Sequence, residues 1–369
     1  LYKKSLLIVR TQVDNGGAII AANDSDILKS ARDHYSYMWP RDGAFVAYAL
    51  DKAGYPEVTT PFYRFCKKAL TADGYIMHKY NPDGSVGSSW HPWLNQGKKQ
   101  LPIQEDETGL ILCALWQYYK RDKDFEFISS LYKSLIRKAA DFMVNYRDKK
   151  TGLPLESYDL WEERRGIFTF TASTVYGGLK VAANFSQLFG DTYLTEKYEK
   201  AALEVKKAIE KYLYNEDLGR FLRGVYLEGD NLQPDFTLES SLSALFTFGV
   251  LAPDDPRMVK TMRAIEDGLW VKTEVGGIAR YTDDYYFQQS HDIENVPGNP
   301  WLICTLWLAQ WYIAIAKSSE ELMIAKKILE WAADHSSQSG ILSEQLHPYS
   351  GKPLSVAPLT WSHSTYILA

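Results

Sequence analysis

With 369 residues, 46% of them hydrophobic and 24% charged, the chain can bury a large core and is not of the disordered class. A net charge of −5 offers no basic surface for nucleic acid. The longest apolar run, Trp301 to Ala316, falls short of the ~20 residues that cross a bilayer and carries Thr305 and Gln310, so no membrane partner is expected.

Helical periodicity dominates from one end to the other. The pattern predicts about twelve helices, near 2–13, 42–53, 57–72, 106–121, 124–147, 168–189, 192–214, 238–249, 255–268, 299–316, 319–335 and 358–369. Some are two-faced. In 127–147 the apolar positions Ile128, Leu131, Leu135, Ala139, Phe142 and Tyr146 step by three and four and leave the other faces to Lys and Arg. The segments 193–213 and 320–333 repeat that pattern. Between them, 107–119, 168–189, 239–251 and 299–316 are apolar on most faces, and such helices must be covered on all sides. Inner and outer helices alternate, which predicts an all-α fold, an (α/α)6 toroid forming one domain over 1–369. Cys66, Cys113 and Cys304 fall inside apolar helical patterns and form no CxxC motif, so they read as core thiols. With no signal peptide at Leu1-Tyr2-Lys3-Lys4, they favour a cytoplasmic location; the oligomeric state is not legible.

The connections are unequal. Segments 73–105, 148–167, 215–237, 269–298 and 336–357 exceed the ~12–15 residues beyond which loops tend to be functional, while Asp122–Asp124 and Gly190–Asp191 are tight turns. That asymmetry predicts one functional rim. Aromatic residues crowd the long loops: Tyr35, Tyr37 and Trp39; Trp90 and Trp93; Trp161; Tyr281, Tyr285 and Tyr286. Flat apolar faces with polar edges suit sugar rings, although they suit an ordinary core equally.

Four segments concentrate polar chemistry. In Trp39-Pro-Arg41-Asp42 a guanidinium and a carboxylate offer donor and acceptor to adjacent hydroxyls, or Asp42 simply caps a helix. In Tyr158-Asp159-Leu160-Trp161-Glu162-Glu163 a carboxyl against an aromatic ring can stay protonated as a general acid, or the two glutamates pair with Arg164 and Arg165. Arg280-Tyr281, Asp283-Asp284 and Gly298-Asn299-Pro300-Trp301 form the third, with helix entry at Asn299-Pro300 as the plainer reading. The fourth is Ser343-Glu344-Gln345 with Leu359-Thr360-Trp361-Ser362, where a single glutamate is otherwise only a surface acid. Glycosidic hydrolysis needs two carboxyls, and ~6.5–9.5 Å between them admits a water that inverts the anomeric centre.

Taken in order, these four motifs resemble glycoside hydrolase family 15, the glucoamylases, glucodextranases and their relatives, from Arg10 to Trp361. The resemblance implies Glu162 as general acid and Glu344 as general base. It places Arg41 and Asp42 on the terminal sugar, with Tyr35 and Trp39 beside them. Glu163 and Arg280 would contact the neighbouring sugar. Trp161, Asp284, Trp301 and Trp361 complete the substrate-binding shell, and Asp159 supports it. The implied activity is exo-acting, inverting release of β-glucose from α-glucans, with an oligosaccharide or polysaccharide partner and no metal or cofactor.

The pattern has departures. Relatives place a Trp four residues before the Gln that leads into the fourth helix. Here Gln104 fills the Gln position and Gln100 the Trp position, so Trp90 or Trp93 would take over. Bacterial and archaeal members also carry an N-terminal β-sandwich that residues 1–369 do not match. Trehalose or α-1,6-linked dextran are alternative substrates for the same chemistry. A sugar-binding or regulatory module without turnover is the alternative from another class, against which the two carboxyls and the Arg41-Asp42 pair argue.

Overall fold

The computed structural model describes residues 1–23, 33–95 and 97–369. Its helices are α1 (Tyr2–Thr11), α2 (Pro40–Ala53), α3 (Pro56–Ala69), α4 (Glu105–Asp122), α5 (Phe125–Leu131), α6 (Arg137–Asn145), α7 (Thr169–Leu188), α8 (Thr192–Tyr212), α9 (Ala244–Thr247), α10 (Pro256–Leu269), α11 (Leu302–Ile315), α12 (Ser319–Asp334) and α13 (Thr360–Leu368). A π-turn at Tyr132–Ile136 joins α5 to α6, and a 3-10 turn at Ser240–Ser243 leads into α9. Among the described residues these make twelve rods, as the periodicity predicts.

The rods form two concentric rings. Contacts run from α2 to α4, α4 to α7, α7 to α9, the 240–243 turn to α11, α11 to α13, and α13 back to α2, which closes the inner ring. Outer helices pack behind it, α8 on α7, α12 on α11 and α1 on α13. Inner helices such as α7 and α11 are buried on nearly every face, whereas α8 buries one stripe through Leu194, Tyr198, Ala201, Val205 and Ile209. The crossing of α4 on α7 depends on glycine. A Cβ on Gly109 would lie 2.6 Å from the Thr174 carbonyl oxygen, and one on Gly178 would lie 2.9 Å from the Gly109 Cα.

Capping differs between the rings, since outer helices α1 and α3 lack a side-chain cap but the other four have one. Asp124, Asp191, Asp255 and Ser318 cap outer helices α5, α8, α10 and α12 through their side chains. The residues that open α2, α4, α7, α11 and α13 (Trp39, Gln104, Phe168, Trp301 and Leu359) make no such bond. Asp42 lies inside the first turn of α2, with Pro40 ahead of it, and is not a cap.

Three features differ from the sequence reading. The long loops hold short strands: β1 (Leu94–Asn95), β2 (Lys98–Lys99), β3 (Ser157–Tyr158), β4 (Arg165–Phe168), β5 (Tyr214–Asn215), β6 (Arg220–Phe221), β7 (Gly224–Glu228), β8 (Asn231–Asp235), β9 (Gln345–Leu346) and β10 (Pro353–Leu354). Strands β3-β4-β7-β8 form a four-stranded antiparallel sheet that the helical period concealed. Helix α11 starts at Leu302, not at Asn299-Pro300, because Trp301 is held extended by bridges to Ile278 and Gln345. Of the thiols, Cys66 and Cys304 are buried, but Cys113 is only partly so.

Alanine at Gly109 or Gly178 forces α4 and α7 apart. Each substitution is expected to destabilise the fold by about 1–3 kcal/mol in denaturant unfolding, since the obstructing atoms are backbone.

Candidate active site

Glu162 occupies the tight turn between β3 and β4. The Asp159 carboxylate ties that turn by accepting from the backbone N–H of Glu163 (2.8 Å) and Arg164 (3.2 Å), while Glu162 N–H donates to the Asp159 carbonyl (3.0 Å). Glu162 has φ of 65°, a conformation uncommon for residues with a side chain. Its carbonyl is held by the Trp90 indole at 3.1 Å. The carboxyl then enters a cavity of about 670 Å³, within the ~300–1,000 Å³ typical of small-molecule sites. Oε1 accepts from the Trp39 indole at 2.5 Å; among the described residues Oε2 has no hydrogen-bond partner, and His78 Nε2 is 4.0 Å away. Burial raises the pKa of Glu162, while Arg41, Lys79 and the Trp39 N–H pull it back.

Glu344 lines the same cavity from another part of the chain. It immediately precedes β9, which is clamped between β10 and the Trp301 backbone, and its N–H donates to the Val356 carbonyl at 3.0 Å. Its side chain is 4% exposed, and Oε2 accepts from the Gln345 amide at 3.2 Å. Burial raises this carboxyl too, opposed by Ser355, Gln345, Arg280 and Tyr35. The hydroxyls of Tyr35 and Tyr286 are 2.7 Å apart, and Glu344 acts electrostatically on both rings.

Two buried arginines brace the walls. Arg41 donates to Gln104 and to Asp106 (3.2 Å), stands 3.6 Å from Glu107 and 3.9 Å from Asp42, and lies over the Trp361 ring. Burial pushes Asp42 up to about 7 despite Arg41 beside it. Arg280 is chelated by Asp284 at 2.8 and 2.7 Å, reaches Glu163 at 2.8 Å, and stacks near Trp161, Tyr281, Tyr286 and Trp301. Tyr281 donates to the other Glu163 oxygen at 2.6 Å, so Glu163 pairs with Arg280. Arg165 pairs instead with Glu156.

All four motifs meet at one place. The cavity is lined by Tyr35, Trp39, Arg41 and Asp42; by Trp161, Glu162 and Glu163; by Arg280 and Trp301; and by Glu344 and Trp361. Two predicted residues lie behind it. Asp159 holds the turn, and Asp284, fully buried, holds Arg280; placing Asp284 against substrate is therefore corrected to a supporting position. Trp90 lines the cavity and Trp93 does not. Lys79, Asp33, Leu160 and Phe287 line it without having been expected, and Glu239, which accepts from the Trp161 indole at 3.2 Å, lies behind. Lys79 sits in an otherwise bland part of loop 73–105, and its partner Asp33 is 46 positions away, so spacing gave no signal. Among the described residues no group of three His, Cys, Asp or Glu is placed to hold a metal, and no helix is long and apolar enough to cross a membrane.

A two-ring helical toroid with a pocket joining two glutamates, one buried and one partly buried, is the architecture of the six-hairpin glycosidases. The chain belongs to glycosyl hydrolases family 15, whose model matches residues 1–323 and 312–369. It is 31% identical to an uncharacterised glycosyl hydrolase of Methanocaldococcus jannaschii, over 100% of this chain and 55% of that protein. It is 26% identical to a glucoamylase of Clostridium (100% and 52%) and 25% identical to trehalase 2 of Sulfolobus acidocaldarius (100% and 62%). The chain thus spans little more than half the length of these relatives. In fold it is similar to a bacterial glucoamylase complexed with acarbose, at TM-score 0.81 and 23% identity over 99% of this chain and 54% of that one.

Replacing Asp159 with Ala leaves two backbone donors of the Glu162 turn without their acceptor. Denaturant unfolding is expected to show a loss of about 1–3 kcal/mol.

Proposed function

We propose that this chain hydrolyses α-glucosidic bonds from the non-reducing end with inversion, Glu162 serving as general acid and Glu344 as general base. The observation that carries this reading is that two carboxyls, distant in sequence and both pushed toward neutrality by burial, line one aromatic-walled cavity. Glu162 Oε2, without a hydrogen-bond partner among the described residues, carries a proton toward the leaving oxygen, while Oε1 is bound by Trp39. Glu344 takes the proton of the attacking water. Arg41 and Asp42, with Tyr35 and Trp39, hold the terminal sugar. Glu163 and Arg280 hold the next one, and Trp161, Trp301 and Trp361 form the apolar walls. Linkage stays with the same chemistry on trehalose as a second reading, favoured by the trehalase relative.

Glu162→Gln and Glu344→Gln are each expected to cut turnover of maltooligosaccharides by about 10²–10⁴-fold. Near-normal turnover in either variant contradicts the assignment. A panel of maltose, isomaltose, panose and trehalose then ranks the linkages. In the unsubstituted chain kcat/KM should be bell-shaped in pH. Its acid limb follows ionisation of Glu344 and its basic limb loss of the Glu162 proton. Because burial raises both groups, both limbs should lie above the range of a free glutamate. Limbs at or below that range would contradict the burial seen here.

A further inference from the structure

Lys79 is an unusual neighbour for a sugar pocket. Its side chain is 1% exposed yet lines the cavity, and its ammonium is 3.2 Å from the Asp33 carboxylate. Three rings surround it, with Nζ 4.5 Å from the centroid of Tyr37, 4.7 Å from Trp90 and 5.2 Å from Trp39. Two of those rings also grip Glu162, Trp39 by its N–H to Oε1 and Trp90 by its N–H to the carbonyl. The cation thus lies over the face of an indole whose edge holds the carboxyl.

We propose that Lys79 is a positioning residue for the proton donor: anchored by Asp33, it fixes the indole that holds Glu162 and supplies positive charge against which Glu162 becomes a carboxylate. This role holds only where Glu162 is the donor, as proposed above. As Glu162 gives its proton to the leaving oxygen, its O–H bond breaks and the electron pair stays on the carboxyl. Glu344 gains the proton of the attacking water, and solvent exchange resets both. A fixed cation beside Glu162 stabilises the charge that develops there.

Other groups face Glu162 from every side. Arg41 and Asp42 come from α2, Glu107 from α4, Tyr35 and Asp33 from the segment before α2, and His78 and His91 from loop 73–105. The two histidines stay neutral at ordinary pH, since burial drives His78 down to about 2 and His91 down to about 4. Arg41 is already surrounded by Asp42, Asp106 and Glu107. Among the described residues Lys79 pairs with one carboxylate, Asp33, itself 28% exposed. Lys79 favours the ionised form of Glu162, and Asp33 opposes it.

The test is the pH dependence of kcat and KM for Lys79→Met, Lys79→Arg and Asp33→Asn, on maltooligosaccharides and on a nitrophenyl α-glucoside whose leaving group needs no proton. Thermal melts check that each variant folds. Removing the cation weakens Glu162 as an acid, so Lys79→Met should move the basic limb to higher pH. It should also lower kcat on maltooligosaccharides by about tenfold, and less on the activated glucoside. Lys79→Arg should keep the limb in place. Asp33→Asn removes an anion and should move the limb the opposite way. A Lys79→Met variant that raises KM alone, with limb and kcat unmoved, overturns the proposal. So does movement of the limb in the same direction for Lys79→Met and Asp33→Asn. Glu162→Gln separates the two levels: if it stays active the function above is wrong, and if it is inactive while the Lys79→Met limb is unmoved, only the role of Lys79 fails.

Discussion

Taking a carboxyl out of water favours its neutral form, and this fold draws Glu162 and Glu344, with Asp42, into one pocket. Burial is the largest influence on both Glu162 and Glu344, and it pushes both upward. Neither is left without opposition. Trp39, Arg41 and Lys79 draw Glu162 back, while Gln345, Ser355, Arg280 and Tyr35 do so for Glu344. The walls are therefore more than hydrophobic surface, because several rings that shape the cavity also carry an N–H or a π-face that bears on a charge. Trp161 donates to Glu239 and lies beneath Arg280; Trp361 lies beneath Arg41.

The toroid makes this arrangement affordable. Three inner helices, α2, α11 and α13, begin at the cavity through Trp39, Trp301 and Leu359, and none has a side-chain cap. Their positive ends face the pocket, which favours negative charge there. The acidic first turn of α4, Glu105 to Glu107, is buried beside α2, where Asp106 and Glu107 brace Arg41. The ring closes tightly enough to bury these groups because glycines 109 and 178 let α4 and α7 meet backbone to backbone.

Much of this was legible in the sequence, for identifiable reasons. Helix existence follows from a period of three and four, so α8 and α12 appeared at nearly their observed bounds. The functional rim followed from loop length. What periodicity cannot report is a strand of two to five residues inside a long loop, and so β7 and β8 went unseen. Motifs located Arg280 and Asp284 together but not which of them faces the cavity, since that depends on Asp284 folding back to chelate its neighbour four positions earlier. Lys79 and His78 were invisible because their meaning lies in partners brought from other loops, Asp33 and the Glu162 turn.

The claim on which the rest depends is that one carboxyl donates a proton while the other draws a water onto the opposite face of the sugar. Proton NMR of the first product released, recorded before mutarotation, tests it most directly. The account predicts β-glucose from an α-linked substrate. Initial release of α-glucose would mean retention, and would contradict the roles given to Glu162 and Glu344.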